Sequence, residues 1–116
     1  MQVKYNIYVT PYAKLQMAEI KEYTVNVLAA PLAAKKLLEK FEEAIKSLQF
    51  MPKRYRVIGG DFGKQEGIRR VKQRNFYIYY WINEDDNSIY ILDIIYAKAE
   101  QEHLLKVMRE NFEKGR

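Results

Sequence analysis

The chain has 116 residues, no cysteine and a formal charge of +5, from 20 lysines and arginines against 15 aspartates and glutamates. This length suits one compact domain, so we expect residues 1–116 to form a single domain without a linker or a repeat. The lack of cysteine excludes disulfides and thiolate metal sites. The first residues do not resemble a signal peptide, and the longest apolar run, 76–82, is too short to cross a membrane, so a cytoplasmic protein is expected.

The first half of the chain predicts one strand and two helices. Apolar residues recur at every second position over 3–9, which is typical of a strand with one buried face. Pro11 suits the first position of a helix that ends near Leu28. Pro31 begins a second helix, which carries a broad apolar stripe and stops before Pro52. The short joint between the two helices makes them an antiparallel hairpin.

The second half predicts three strands and a last helix. A strand begins at Ile68 and turns at Arg74-Asn75 into a second strand over 76–82. A polar loop over 83–88 leads to a third strand over 89–96, whose almost continuous apolar character is typical of a position inside the sheet. The order β-α-α-β-β-β-α predicts an α+β domain, in which the hairpin covers one face of a small, mainly antiparallel sheet. The C-terminal helix is predicted from Leu104, Leu105, Met108 and Phe112.

Positive charge is concentrated in one segment. Between Lys53 and Arg74 there are eight basic and two acidic residues, whereas the rest of the chain holds twelve basic and thirteen acidic ones. This concentration creates a local positive potential that favours phosphates, nucleic acids or an acidic protein partner. The alternative interpretation of this basic segment is an ordinary solvated loop.

Three short patterns occur between Gly67 and Glu100. Gly67-Ile68-Arg69-Arg70 opens the second strand, alternating aromatic and apolar residues fill 76–82, and Tyr96-Ala97-Lys98 ends the last strand. In this order the patterns resemble the RelE/ParE superfamily of bacterial toxins from type II toxin–antitoxin pairs. Members of that superfamily usually have arginine where this chain has Lys98. An ammonium offers only a point charge, whereas a guanidinium grips a phosphate through two hydrogen bonds.

The resemblance implies a toxin that arrests growth as a metal-independent, ribosome-dependent mRNA endonuclease. In this reaction the 2′-hydroxyl of the RNA attacks the adjacent phosphate, which requires cations around the phosphate and groups that transfer protons. It implies that Arg69 and Lys98 stand at the mouths of neighbouring strands and neutralise the phosphate, while Tyr96 transfers a proton. The RNA backbone would be bound by the remaining cations, Lys53, Arg54, Arg56, Lys64, Lys72 and Arg74.

Several of these side chains have structural alternatives. Tyr96 ends an apolar strand, so a buried aromatic with a bonded hydroxyl is an equally good interpretation. Strand alternation puts Arg70 on the opposite face from Arg69, and the family pattern favours Arg69 on the concave, tyrosine-lined face. Three aromatic residues share one face of the second predicted strand of this half and either stack on bases or pack under the C-terminal helix: Tyr77, Tyr79 and Trp81.

No metal or cofactor is expected. His103 is the one histidine of the chain and is interpreted as a surface residue. The acidic cluster at 84–86 lies in a predicted loop, where it is solvated. The glycines at 59, 60 and 63 lack the Lys-Ser/Thr that follows a phosphate-binding loop.

Two further functions stay open. A ParE-type toxin would bind and poison DNA gyrase without catalysis, which the long hairpin and the lack of a clear general base favour. An inactive or purely binding member of the same fold is the third possibility. For either toxin, the resemblance implies a cognate antitoxin that wraps the toxin, as a helix across the hairpin and an extended piece near the sheet. An acidic, amphipathic antitoxin would complement the basic segment.

Overall fold

The computed structural model describes residues 4–58 and 67–98, and within them the predicted order of helices and strands is confirmed. Lys64 and the predicted C-terminal helix lie outside the described residues. The elements are β1 (Asn6–Val9), α1 (Pro11–Glu22), a π-helical segment (Tyr23–Val27), α2 (Pro31–Ser47), a 3₁₀ turn (Pro52–Arg54), β2 (Arg69–Gln73), β3 (Phe76–Asn83) and β4 (Ser88–Tyr96).

The four strands form one mixed sheet in the order β1-β4-β3-β2. β4 therefore lies inside the sheet, as its apolar sequence predicted. It pairs with β1 in parallel and with β3 antiparallel, and β3 pairs antiparallel with β2. β1 and β2 are the two edges of the sheet.

α1 begins where Thr10 ends the first strand. The Thr10 hydroxyl accepts a hydrogen bond from the Ala13 N–H at 3.2 Å, which caps the helix, and donates one to the Ile91 carbonyl at 2.8 Å. Pro11 occupies the first helical position, as predicted. One residue thus starts α1 and ties its beginning to β4.

The helical stretch predicted to reach Leu28 is α-helical only as far as Glu22 and then continues as the π-helical segment. Within that segment the Thr24 hydroxyl donates to the Ile20 carbonyl at 2.8 Å. Ala29 then adopts a left-handed φ of 50°, and α2 starts two residues later at Pro31. Apolar spacing alone does not distinguish a π-helical turn from an α-helical one, because both present a continuous apolar stripe.

The sheet carries apolar residues on both faces. On the helix face, which α1 and α2 cover, the buried sheet residues pack against Phe41, Ile45 and Leu48. The opposite face carries Tyr77, Tyr79, Trp81 and Tyr90, with Ile58 and Ile68, and is called the tyrosine face below. As the alternation along β3 predicted, successive side chains of this strand lie on opposite faces of the sheet.

A β-bulge interrupts the pairing of β3 with β4. Tyr80 pairs with Ile91 and Tyr79 with Asp93, so Leu92 is the extra residue. Asp93 is almost completely buried, with 1% of its surface exposed. Within residues 4–58 and 67–98, no helix combines the length and the apolar character needed to cross a membrane.

Candidate functional site

The cations of the basic segment occupy several places. Lys53 and Arg54 lie in the 3₁₀ turn, where Lys53 pairs with Glu84 at 2.8 Å and the Arg54 guanidinium donates to the Ser47 hydroxyl at 2.9 Å. The hydrogen bond to Glu84 raises the pKa of Lys53, which stays a cation at neutral pH. Arg56 is exposed on the segment that follows. These three cations lie beyond the C-terminal end of α2.

Arg69 lies on the helix face, across from Tyr80 of β3. Its guanidinium donates to the Tyr55 carbonyl at 2.5 Å and to the Lys53 carbonyl at 3.4 Å. The Tyr80 hydroxyl donates to the carbonyl of Pro52 at 2.5 Å, and burial raises the pKa of Tyr80, so this hydroxyl keeps its proton. Both side chains hold the backbone of the 3₁₀ turn against the sheet. The expectation that Arg69 faces the tyrosine-lined surface is wrong.

Arg70 is the arginine on the tyrosine face. Its guanidinium lies 4.0 Å from the centroid of the Tyr77 ring, and it approaches the Tyr79 hydroxyl at 3.5 Å. Lys72 pairs with Tyr77 across the strands and is exposed. Arg70, Lys72 and Tyr77 form what is called the cationic patch below. Strand alternation correctly predicted that the two arginines lie on opposite faces of the sheet. Which of them lies on the helix face is decided by the packing of the 3₁₀ turn.

The aromatic residues of the tyrosine face differ in exposure. Tyr79 has only 1% of its surface exposed, so it is not available to stack on a base. Tyr77 and Trp81 are half-buried. The ring of Trp81 contacts Tyr90 with centroids 5.7 Å apart, and Tyr90 stacks on Tyr8 of β1 at 5.5 Å. An aromatic row therefore crosses three strands on this face.

Tyr96, Lys98 and Arg74 lie at the other end of the sheet. Tyr96 is 45% exposed and contacts the Phe76 ring edge-on, with centroids 5.7 Å apart. The interpretation of Tyr96 as a buried core aromatic is therefore wrong. Arg74, in the turn between β2 and β3, adopts a left-handed φ of 59°, and Lys98 is exposed just after β4.

The structure does not bring Arg69 next to Tyr96 and Lys98. Arg69 is level with Tyr80 and Tyr96 is level with Phe76, which is four residues away along β3 and therefore roughly 13 Å. β3 also lies between β2 and β4. The expectation that Arg69 and Lys98 stand at the mouths of neighbouring strands is wrong, because they lie at opposite ends of strands that are not neighbours. Their catalytic roles stay a prediction.

A groove of about 880 Å³ runs between the helices and the turn that joins β2 to β3. It is called the hairpin groove below. Its helical wall includes Tyr23 and Leu28, each more than half exposed. Lys36 and Arg74 contribute positive charge on opposite walls, and Tyr96 lines the sheet side. Glu19 also lines the groove, so its net charge is positive by one, and this apolar, net positive groove suits an amphipathic segment that carries acidic residues.

Asp93 is a buried carboxyl group that the sequence reasoning missed. One of its oxygens accepts from the Ile94 N–H at 2.9 Å, and the same N–H donates to the Gln16 side chain at 2.8 Å. Burial raises the pKa of Asp93 to about 7, although the hydrogen bonds to Gln16 and Ile94 lower it. An aspartate inside the apolar run 89–95 was the available signal for a buried ionisable group. Among the described residues, no group of three or more metal-ligating side chains comes together.

Comparisons with known proteins agree with this fold. Residues 7–100 match the family model described as the ParE toxin of the type II toxin–antitoxin system parDE. The fold is similar to a chromosomal ParDE toxin–antitoxin system from P. aeruginosa, with a TM-score of 0.67 and 21% identity over 82% of this chain and 98% of that one. It is also similar to the RelBE2 toxin–antitoxin complex from Mycobacterium tuberculosis, with a TM-score of 0.58 and 16% identity over 83% and 95% of the two chains. No curated protein matches the chain in sequence. The chain belongs to the ParE family and is a toxin of a type II toxin–antitoxin system.

Proposed function

We propose that this toxin arrests growth by binding and poisoning DNA gyrase, without a catalytic site of its own. The observation that carries this proposal is the separation of the predicted catalytic groups. Arg69 holds the 3₁₀ turn through two backbone carbonyls, roughly 13 Å along the sheet from the level of Tyr96. General acid–base catalysis requires its groups within hydrogen-bond reach of one reacting phosphate. A toxin that acts by binding has no such requirement.

The gyrase proposal is tested with purified protein, gyrase and plasmid DNA. We expect loss of supercoiling together with trapped, cleaved DNA. Programmed ribosomes incubated with the same preparation are expected to keep their message intact. Unaffected gyrase at high protein concentration would refute the proposal.

Ribosome-dependent cleavage of mRNA is the second candidate function. The cationic patch favours it, because an arginine 4.0 Å from a tyrosine ring and a neighbouring lysine suit a phosphate backbone next to a base. Under this alternative, replacing Arg69 and Lys98 with alanine abolishes toxicity and leaves antitoxin binding measurable. Mapping of mRNA ends on programmed ribosomes measures the activity directly. Ribosomes and DNA gyrase both act in the cytoplasm, so either candidate function implies a cytoplasmic toxin.

The role of Arg69 separates the two candidates. If Arg69 is structural, Arg69→Ala removes hydrogen bonds to the Lys53 and Tyr55 carbonyls and lowers the free energy of unfolding by about 1–3 kcal/mol. We expect urea denaturation to show this loss, and growth arrest to persist at temperatures where the variant is folded. Lys72→Ala is the control for stability, since Lys72 is exposed. A fully stable Arg69→Ala protein that has lost toxicity would instead favour catalysis.

We also infer that a cognate antitoxin holds this toxin inactive. Two solved structures similar to this fold are a ParDE toxin–antitoxin system and a RelBE2 toxin–antitoxin complex, which supports a partner of this class. The hairpin groove supplies an apolar surface with Lys36 and Arg74 on its walls, which suits an acidic amphipathic helix. Growth arrest relieved by co-expression of the adjacent reading frame tests the partner. Persistent arrest would count against it.

A further inference from the structure

Two residues connect the buried carboxyl group of Asp93 to the hairpin groove. Gln16 of α1 and Ile94 of β4 both line that groove. The Ile94 N–H donates to the Gln16 side-chain oxygen at 2.8 Å and to the Asp93 Oδ1 atom at 2.9 Å. A change on the groove wall at Gln16 or Ile94 therefore acts directly on the surroundings of Asp93.

The carboxyl group itself is poorly solvated. Asp93 has 1% of its surface exposed, and among the described residues its Oδ2 atom has no hydrogen-bond partner. A buried carboxylate with an unsatisfied oxygen is costly, whereas the protonated acid carries no charge. Burial raises the pKa of Asp93 to about 7, so near neutral pH the free toxin contains both the charged and the protonated form.

The groups that face Asp93 come from several elements. On α1, Tyr12 lies close enough for the charge of Asp93 to help raise the pKa of Tyr12, so the Tyr12 hydroxyl is neutral at pH 7. On β3, the cross-strand partner of Asp93 is Tyr79, whose ring lies on the tyrosine face. β1 ends level with Ile91, before Asp93 is reached. The charged residues of the nearby groove walls are Glu19, Lys36 and Arg74.

An occupant of the hairpin groove would change these surroundings in one direction. Gln16 is half-buried, so an apolar segment laid against it displaces water beside the carboxyl group and disfavours the charged form of Asp93. Acidic residues that pair with Lys36 and Arg74 bring further negative charge to the same region, which also disfavours the carboxylate. Both effects favour binding of a proton to Asp93.

We propose that Asp93 takes up a proton when the antitoxin fills the hairpin groove, so that the toxin binds its antitoxin more tightly at lower pH. This inference rests on the antitoxin proposed above and assigns a regulation to the same groove. Uptake of one proton limits the loss of affinity to about tenfold for each pH unit above about pH 7. Below about pH 6 the free toxin already holds the proton, so Asp93 causes no further change in affinity.

Isothermal titration calorimetry of the unmodified toxin with the full-length polypeptide of the adjacent reading frame tests the proposal. Titrations at about pH 7.5 in phosphate and in Tris, two buffers with different ionisation enthalpies, give the number of protons taken up on binding. We expect about half a proton or more per complex for the unmodified toxin, and about none for Asp93→Asn. Glu19→Gln is the matched control, because it removes a carboxylate of the groove wall and is expected to keep the uptake.

Carbon-13 NMR of the Asp93 carboxyl group provides a measurement that needs no variant. In the unmodified toxin we expect its titration midpoint to rise by about one pH unit or more when the polypeptide binds. Binding with an unmoved or lowered midpoint would overturn the linkage while leaving the antitoxin proposal intact, and so would equal proton uptake by Asp93→Asn. Absence of any binding would overturn both.

Discussion

A buried carboxyl group lies at the bulge of β4, where Asp93 faces Gln16 of α1. Burial is the largest influence on Asp93 and outweighs the hydrogen bonds to Gln16 and Ile94, so the pKa of Asp93 rises to about 7. The burial of Tyr12 itself and the charges of Asp93 and Glu19 raise the pKa of Tyr12.

The pKa of Asp93 predicts how stability depends on pH. Between about pH 4 and pH 7 the folded chain holds a proton on Asp93 that the unfolded chain releases, so the free energy of unfolding falls as the pH rises. The contribution of protonated Asp93 to the free energy of unfolding is fully present below pH 4 and is lost above pH 7. Its upper limit is on the order of 4 kcal/mol. Asp93→Asn is expected to remove this fall and to be the more stable protein above pH 7. Thermal melts from pH 5 to pH 8 measure both effects.

Gln16→Ala is the control for the pH prediction. It removes the hydrogen bond that lowers the pKa, so the fall in stability is expected to extend to higher pH. Parallel curves for the unmodified protein and Asp93→Asn would show that the carboxyl group does not govern the response.

Single residues also show what sequence patterns leave undetermined. The alternation along β2 predicted that Arg69 and Arg70 point to opposite faces, which is confirmed. The face on which each arginine lies depends on a more distant contact. The Arg69 guanidinium donates hydrogen bonds to the carbonyls of Lys53 and Tyr55, about 15 residues earlier in the chain. Local periodicity contains no information about such a distant contact.

At the scale of elements, the joint between the helices stores backbone strain. Ala29 adopts a φ of 50°, in the left-handed region that costs a residue with a Cβ roughly 1–2 kcal/mol. Glycine occupies this region without that cost, although it loses more entropy on folding. Ala29→Gly is therefore expected to raise the free energy of unfolding by about 0.5–1 kcal/mol and the melting temperature by about 2–5 °C.

The matched control for this prediction is Ala33→Gly, in the first turns of α2. Ala33 is exposed and helical, so glycine there is expected to lower the free energy of unfolding by about 1 kcal/mol. Differential scanning calorimetry of the two variants should give shifts of opposite sign. Two shifts of the same sign would contradict the argument from the backbone of Ala29.

Strands and helices were predictable where one physical signal dominates. The apolar run of β4 predicted its position inside the sheet, and proline marked the start of α1 and of α2. The bulge at Leu92 and the π-helical segment were not predictable, because each inserts a residue without disturbing the apolar pattern around it. The candidate site depended on these details and on the strand order, so its residues were identified less well than the elements.

At the scale of the whole molecule, the concentration of charge along the sequence becomes a distribution over several surfaces. Lys53 and Arg54 lie near the end of α2, Arg70 and Lys72 lie on the tyrosine face, and Arg74 lines the hairpin groove. A segment with eight basic residues therefore does not form one uniform patch. The position of each cation, rather than the net charge, is expected to decide what it contributes.

The cationic patch allows this to be tested on growth arrest. Arg70→Glu combined with Lys72→Glu reverses its charge next to Tyr77, so an anionic target surface would be repelled, and we expect survival after induction to rise by about tenfold or more. Lys14→Glu combined with Lys35→Glu produces the same change in net charge on exposed helical lysines and is expected to leave the arrest unchanged. Colony counts after induction measure both, and thermal melts confirm that each variant folds. Equal rescue by the two pairs would mean that the total charge of the toxin, and not the cationic patch, determines its toxicity.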